Sequence, residues 1–150
     1  MTSTAQALQT RGEIARSEIE VNAPAADVWA ALTDPKAIKQ YMFGSDVTSD
    51  WKVGSPITFK GEFNGKPYED RGEILAFEPN ERLQYSHYSP LSGKPESPEN
   101  YHTVTIDLSE SGERTTVTLT QDNNPDSKSA AESQKNWDKM LADLKALIDR

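Results

Sequence analysis

The pattern of apolar and polar positions changes period twice along the chain. Ile19 and Val21 alternate with Glu18 and Glu20, the signature of a half-buried strand. Pro24 follows, and proline is tolerated in the first turn of a helix, where its missing N–H has no partner to lose. Val28, Ala31 and Leu32 then fall on one helical stripe. Asp34-Pro35 repeats the start signal, an acceptor at the cap and then proline. The second helix is short, carries Ile38 and Tyr41, and stops at Gly44.

The middle of the chain reads as strands. Val47 and Trp51 sit in a short irregular one. Pro56 to Phe63 places Ile57, Phe59, Gly61 and Phe63 on one face. Asn64-Gly65 predicts a tight hairpin, since both central residues of that turn need positive φ. Tyr68 to Phe77 returns, and Pro79-Asn80 turns the chain again. Leu83, Tyr85 and His87 alternate after it. Ser89 to Asn100 holds three prolines and a glycine and is expected to be a loop. His102, Val104, Ile106 and Leu108 form one strand face. Gly112 reverses the chain, and Thr115, Val117, Leu119 and Gln121 form another face, opposed by Thr116, Thr118 and Thr120.

From about Asp126 to Ile148 the period becomes 3.6. Ala130, Gln134, Trp137, Leu141, Leu144 and Ile148 share a stripe, which Met140 and Leu147 widen. Ser129 with Glu132 three residues later is a candidate capping box. The order is strand, two short helices, about six antiparallel strands and a long helix, an α+β pattern.

Bulk properties remove several function classes. The length of 150 residues suits one domain, read here as residues 13–150 behind a flexible tail over 1–12. There is no cysteine, so disulfides, thiolate nucleophiles and cysteine metal sites are out. The net charge is −8 and the basic residues are dispersed, which argues against nucleic acid and anionic membrane surfaces. No apolar run approaches the ~20 residues of a membrane helix, so membrane insertion is not expected. No secretion signal is read at the start, and a cytoplasmic location is the default expectation.

In this order of elements the chain resembles the SRPBCC superfamily of START and birch-pollen-allergen-like helix-grip proteins. Within it, the chain looks most like bacterial relatives of the C-terminal domain of the heat-shock protein 90 ATPase activator. The residues that carry the resemblance run from Ile19 through Ala23-Pro24, Val28-Trp29 and Leu32 to Asp34-Pro35. Ile38 to Met42, Gly72 to Leu75, Pro79 with Arg82-Leu83, and the Trp137 to Leu147 helix complete it. It implies a curved antiparallel sheet of about seven strands wrapped around the long C-terminal helix, with a cavity between them. Close relatives usually end the second short helix in tryptophans, whereas this chain has Tyr41 and Met42. The chaperone activator also carries a separate N-terminal domain, which is not read here.

The expected cavity walls are Tyr41, Trp51, Phe59, Phe63, Tyr85, Val104, Trp137, Met140 and Leu141, with His87 and His102 as polar tips. Aromatic rings supply apolar area with a hydrogen-bonding edge, as ligand sites require. The two histidines are expected to be neighbours facing the helix. No third ligand at metal spacing accompanies them, and neither a metal nor a cofactor is expected. Glu62, Glu69, Asp70 and Glu73 read as a solvated face. No Gly-x-Ser-x-Gly elbow, phosphate-cradling glycine loop or His-Glu-x-x-His helix occurs. The leading expectation is a binding protein for a small hydrophobic or amphipathic molecule, without catalysis. A cyclase or aromatase using the same cavity is the alternative, and a module for a chaperone or stress partner is the third.

Overall fold

The computed structural model describes residues 12–149, so most of the expected tail lies outside the described residues. Strand β1 (Glu13–Val21) leads into helices α1 (Ala25–Leu32) and α2 (Pro35–Tyr41). Strands β2 (Asp46–Ser49), β3 (Pro56–Phe63), β4 (Lys66–Glu78), β5 (Arg82–His87), β6 (His102–Ser111) and β7 (Arg114–Asn124) follow. Helix α3 (Ser127–Ile148) closes the chain. The seven strands form one antiparallel sheet in the order β1-β7-β6-β5-β4-β3-β2, as expected for the helix-grip fold. Successive strands from β2 to β7 are neighbours, a meander that β1 completes by pairing with β7.

Local chemistry sets the joints. Asn64 and Gly65 have φ of 52° and 79°, the conformation their hairpin demands. Asp34 accepts the Lys36 N–H at 3.0 Å and Pro35 opens α2. Pro24 stands one residue earlier than expected, as the cap of α1. At α3 the expected capping box gives way to a different cap. Asp126 accepts the Ser129 N–H at 2.7 Å, because its carboxylate already stands at the position where the helix begins. Ser89 to Asn100 holds two single-turn 3₁₀ segments, Pro90–Ser92 and Pro98–Asn100.

The core lies between the sheet's inner face and the helices. Val21, Val28, Ile57, Ile74, Val104, Val117, Leu119, Met140, Leu141 and Leu144 are all almost fully buried. The buried stripe of α3 is Ala130, Met140, Leu141 and Leu144, with Trp137 and Ile148 half-buried. Gln134 and Leu147, expected in that stripe, are exposed. Ser133 takes the inward position instead, its hydroxyl on Asn124 Oδ1 at 3.2 Å. Trp51 lies outside the strand it was assigned to: β2 ends at Ser49, and Trp51 has φ of 58°.

Candidate functional site

Alternation along β3, β4 and β5 brings one set of side chains under α3. The Asn64-Gly65 turn fixes the register, so Phe59 pairs with Asp70 and Gly61 with Tyr68. On β4, Tyr68, Asp70, Gly72 and Ile74 therefore share the inner face, and Ile74 is fully buried. Gly61 leaves room for the ring opposite. A Cβ there would lie 2.5 Å from the Tyr68 hydroxyl. Tyr68 lies across that gap and shares a 2.7 Å hydrogen bond with the Ser45 hydroxyl.

Two spaces open between sheet and helices. The inner one is small, about 20 Å³, room for roughly one water. Its walls include Tyr41, Trp51, Phe59, Tyr85 and Met140. Tyr41 fills much of this end, and its hydroxyl donates to the Ala31 carbonyl at 2.9 Å, which ties α2 to α1. Burial pushes the hydroxyls of Tyr41 and Tyr85 well above the ordinary tyrosine range, so both stay neutral. The second space is an open cleft of about 270 Å³. Met42, Phe43, Phe59 and Trp137 supply its apolar wall. Ser45, Tyr68, Asp70, His87, Gln121, Ser133 and Asn136 supply its polar one.

The polar wall is organised around two hydrogen bonds. His87 Nε2–H donates to Asp70 Oδ2 at 3.0 Å, with both side chains largely buried. The other carboxylate oxygen, Asp70 Oδ1, is buried and has no hydrogen-bond partner among the described residues. The Phe59 ring stands edge-on to His87, with centroids 5.7 Å apart. Across the cleft, Trp137 Nε1–H donates to Gln121 Oε1 at 2.9 Å, which fixes the indole on α3 against β7.

The expected site residues thus divide. Phe59, His87 and Trp137 line the cleft, while Tyr41, Trp51, Tyr85 and Met140 surround the small inner space. Val104 and Leu141 are packed in the core and line neither space. The side chain of Phe63 lies outside the described residues. His102 is the expected cross-strand neighbour of His87 but, expected as a second polar tip, lines neither space. Its Nδ1–H donates to the Asp122 carbonyl at 2.8 Å. Desolvation holds its pKa below the ordinary histidine value, against the opposing pull of that carbonyl. Among the described residues no group of three or more histidine or carboxylate side chains is arranged to hold a metal ion.

Asp70 departs from the solvated face expected of its acidic neighbours. Glu62, Glu69 and Glu73 are exposed, whereas Asp70 turns inward. Its parity with Tyr68 and Ile74, together with the Asn64-Gly65 register, was the signal that could have separated it. Met42, Phe43, Ser45, Tyr68, Gln121, Ser133 and Asn136 also line the cleft, beyond the residues expected from the sequence. Of these, Gln121 carried a signal in its parity with Val117 and Leu119.

Comparison with known proteins gives the chain its relatives. The family described as "Activator of Hsp90 ATPase homolog 1-like protein" matches residues 22–149. An uncharacterised protein of Mycobacterium tuberculosis, Rv0088, is 33% identical over 82 residues, 51% of this chain and 36% of that protein's length. The solution structure of ChR145 from Cytophaga hutchinsonii is 51% identical with a TM-score of 0.80, covering 93% of this chain and 95% of that one. The Aha1 dimer from Colwellia psychrerythraea shares the fold, with a TM-score of 0.71 at 21% identity, over 91% of this chain and 96% of that one.

Proposed function

Because the chain belongs to the family of Activator of Hsp90 ATPase homolog 1-like proteins, whose helix-grip fold leaves space beside its long helix, we propose that it binds a small amphipathic molecule in the cleft at Trp137. The observation that carries this reading is the cleft's composition. One wall is apolar and the other presents convergent polar groups, the combination by which ligand sites hold and orient a guest. At about 270 Å³ the cleft falls just below the ~300–1,000 Å³ of sites for drug-sized ligands, so the guest is small.

Backbone strain at the same place supports the reading. Phe43 on the rim has φ of 57°. The left-handed region costs a bulky residue on the order of 1–3 kcal/mol, and such residues cluster at ligand clamps. Phe43 also leaves 57% of its surface exposed, which a guest in the cleft would help to cover.

Native mass spectrometry of freshly purified protein, followed by melting in the presence of candidate amphipaths, tests the proposal. A guest at a hundred times its Kd stabilises the fold by about 2.7 kcal/mol, a rise of roughly 5 °C or more. A broad panel of aromatic and short-chain metabolites that leaves the melting temperature unmoved would overturn it.

One observation favours a second reading, acid–base chemistry on the bound molecule. The Asp70–His87 hydrogen bond orients the imidazole as a carboxylate orients a general base. His87→Asn separates the two readings. A binder keeps its affinity within about tenfold, whereas an enzyme loses turnover on a substrate it still binds.

A further inference from the structure

We infer that the guest's polar end is a protonated amine, held by Asp70 and flanked by the rings of Phe59 and Trp137. This rests on the reading of the cleft as a binding site and adds the chemical class of its ligand.

Charge comes first. Among the residues lining the cleft, Asp70 is the only carboxylate, and no lysine or arginine is present. On β3 and β4, Lys60 and Arg71 alternate to the other face of the sheet. Lys60 pairs there with Glu69, and Arg71 with Glu96. On α3, Lys135 and Lys139 are exposed, and Lys139 is taken up by Asp143. An anionic head such as a fatty-acid carboxylate would therefore meet an aspartate with no lysine or arginine to offset it. A cation meets the complementary charge.

Hydrogen-bonding capacity comes second. A carboxylate accepts at two oxygens, and His87 serves only Oδ2. Oδ1 is the one buried side-chain polar atom without a partner among the described residues, and such an atom calls for a donor. The χ2 torsion of an aspartate is broad, so the carboxylate can turn to present an oxygen to a donor in the cleft. An ammonium group offers three donors and no acceptor.

Aromatic surface comes third. Phe59 and Trp137 line the cleft together with Asp70, and ring faces attract cations, tryptophan most strongly. Carboxylate and aromatic faces together suit an amine with an apolar body.

Three probes of nearly equal shape test the assignment: phenethylamine, 2-phenylethanol and phenylacetate. Binding is followed by calorimetry and by the NMR signal of the Trp137 indole N–H. The amine is expected to saturate with a Kd on the order of 1 mM or tighter, about tenfold or more below that of the alcohol, with phenylacetate weakest. Asp70→Asn is expected to erase the amine's advantage while the alcohol still binds. If Asp70→Asn fails to fold, the ranking of the three probes on the native protein decides alone. An alcohol or a phenylacetate that binds as tightly as the amine overturns the amine assignment and leaves the cleft reading standing. An amine preference that survives in folded Asp70→Asn also overturns the assignment. Failure of all three probes to move the Trp137 signal overturns the amine assignment, and the cleft reading falls with it when the broad panel also leaves the melting temperature unmoved.

Discussion

Leu144 and Leu147 lie three residues apart on α3, and both fall in the apolar stripe read from the sequence. The structure separates them: Leu144 is fully buried, whereas Leu147 keeps 37% of its surface exposed. Leu→Ala at each site removes the same atoms and leaves helix propensity slightly improved, so any difference between the variants reports packing. At Leu144 the loss combines transfer free energy with a cavity in a closed core, about 3–5 kcal/mol. At Leu147 little core contact is lost and no closed cavity forms, so the cost is below about 1 kcal/mol. For a chain of this length each kcal/mol moves the melting temperature by about 2–4 °C. Leu144→Ala is therefore expected to melt at least about 6 °C lower, and Leu147→Ala within about 4 °C of the parent. Circular dichroism melts give the temperatures, and urea titrations with unchanged slope give the free energies. Equal losses in the two variants would refute the placement of α3 against the sheet.

Three further outcomes follow from single contacts. A Cβ at Gly72 would lie 1.7 Å from the backbone carbonyl oxygen of Ser86, so Gly72→Ala must spread β4 from β5, at a cost on the order of 3–5 kcal/mol read by urea unfolding; a neutral effect would disprove that close approach. His102 is held below its ordinary pKa by desolvation, so on acidification the unfolded chain takes up the proton first. The stability contributed by the neutral ring is present above about pH 6.5 and is lost as the pH falls through the folded value; the urea midpoint should decline over that window in the parent and less in His102→Asn, and parallel profiles would sink the idea. Asp126→Ala should lower the melting temperature while Ser129→Ala should not, since the carboxylate of Asp126 is what accepts the Ser129 N–H; the reverse ranking would restore the capping box.

Local rules carried the sequence reading far, and they failed where a choice depended on distant contacts. The Asn64-Gly65 turn, the Asp34-Pro35 helix start and the strand faces of β3 and β5 to β7 follow from neighbours in sequence, and they were legible. Gln134 and Ser133 are both compatible with a helical stripe that includes Ala130 and Trp137. The choice between them is made by Asn124 on β7, which bonds Ser133. Trp51 looked like a strand residue because aromatics favour strands, but its positive φ is a tertiary constraint that no local preference announces. Asp70 was hidden by its acidic neighbours, since composition averages over a face that alternation divides. Val104 and Leu141, expected on cavity walls, sit in a centre that closes. Whether an interior closes depends on summed side-chain volumes, which pattern alone does not weigh.

The position of the cleft follows from a division within α3. Between Ser127 and Asn136 the only buried residue is Ala130, and the positions nearest the sheet include Ser133. From Trp137 onward the inward side chains are large and apolar: Met140, Leu141 and Leu144, with Ile148 half-buried. The second half therefore seals against the sheet and, with Tyr41, leaves space for about one water. The first half presents polar and small side chains that offer little apolar area to bury, so it has no comparable drive to close. The roughly 270 Å³ cleft opens where the two halves meet, at Trp137, with Ser133 and Asn136 on the helix side and Asp70 and His87 on the sheet side. An amphipathic cleft is thus a consequence of one helix that is apolar over only part of its length. Making Ser133 and Asn136 both leucine should extend the seal, raising the melting temperature and abolishing the response of the Trp137 signal to phenethylamine. A double variant that is more stable and still binds the amine would place the guest elsewhere.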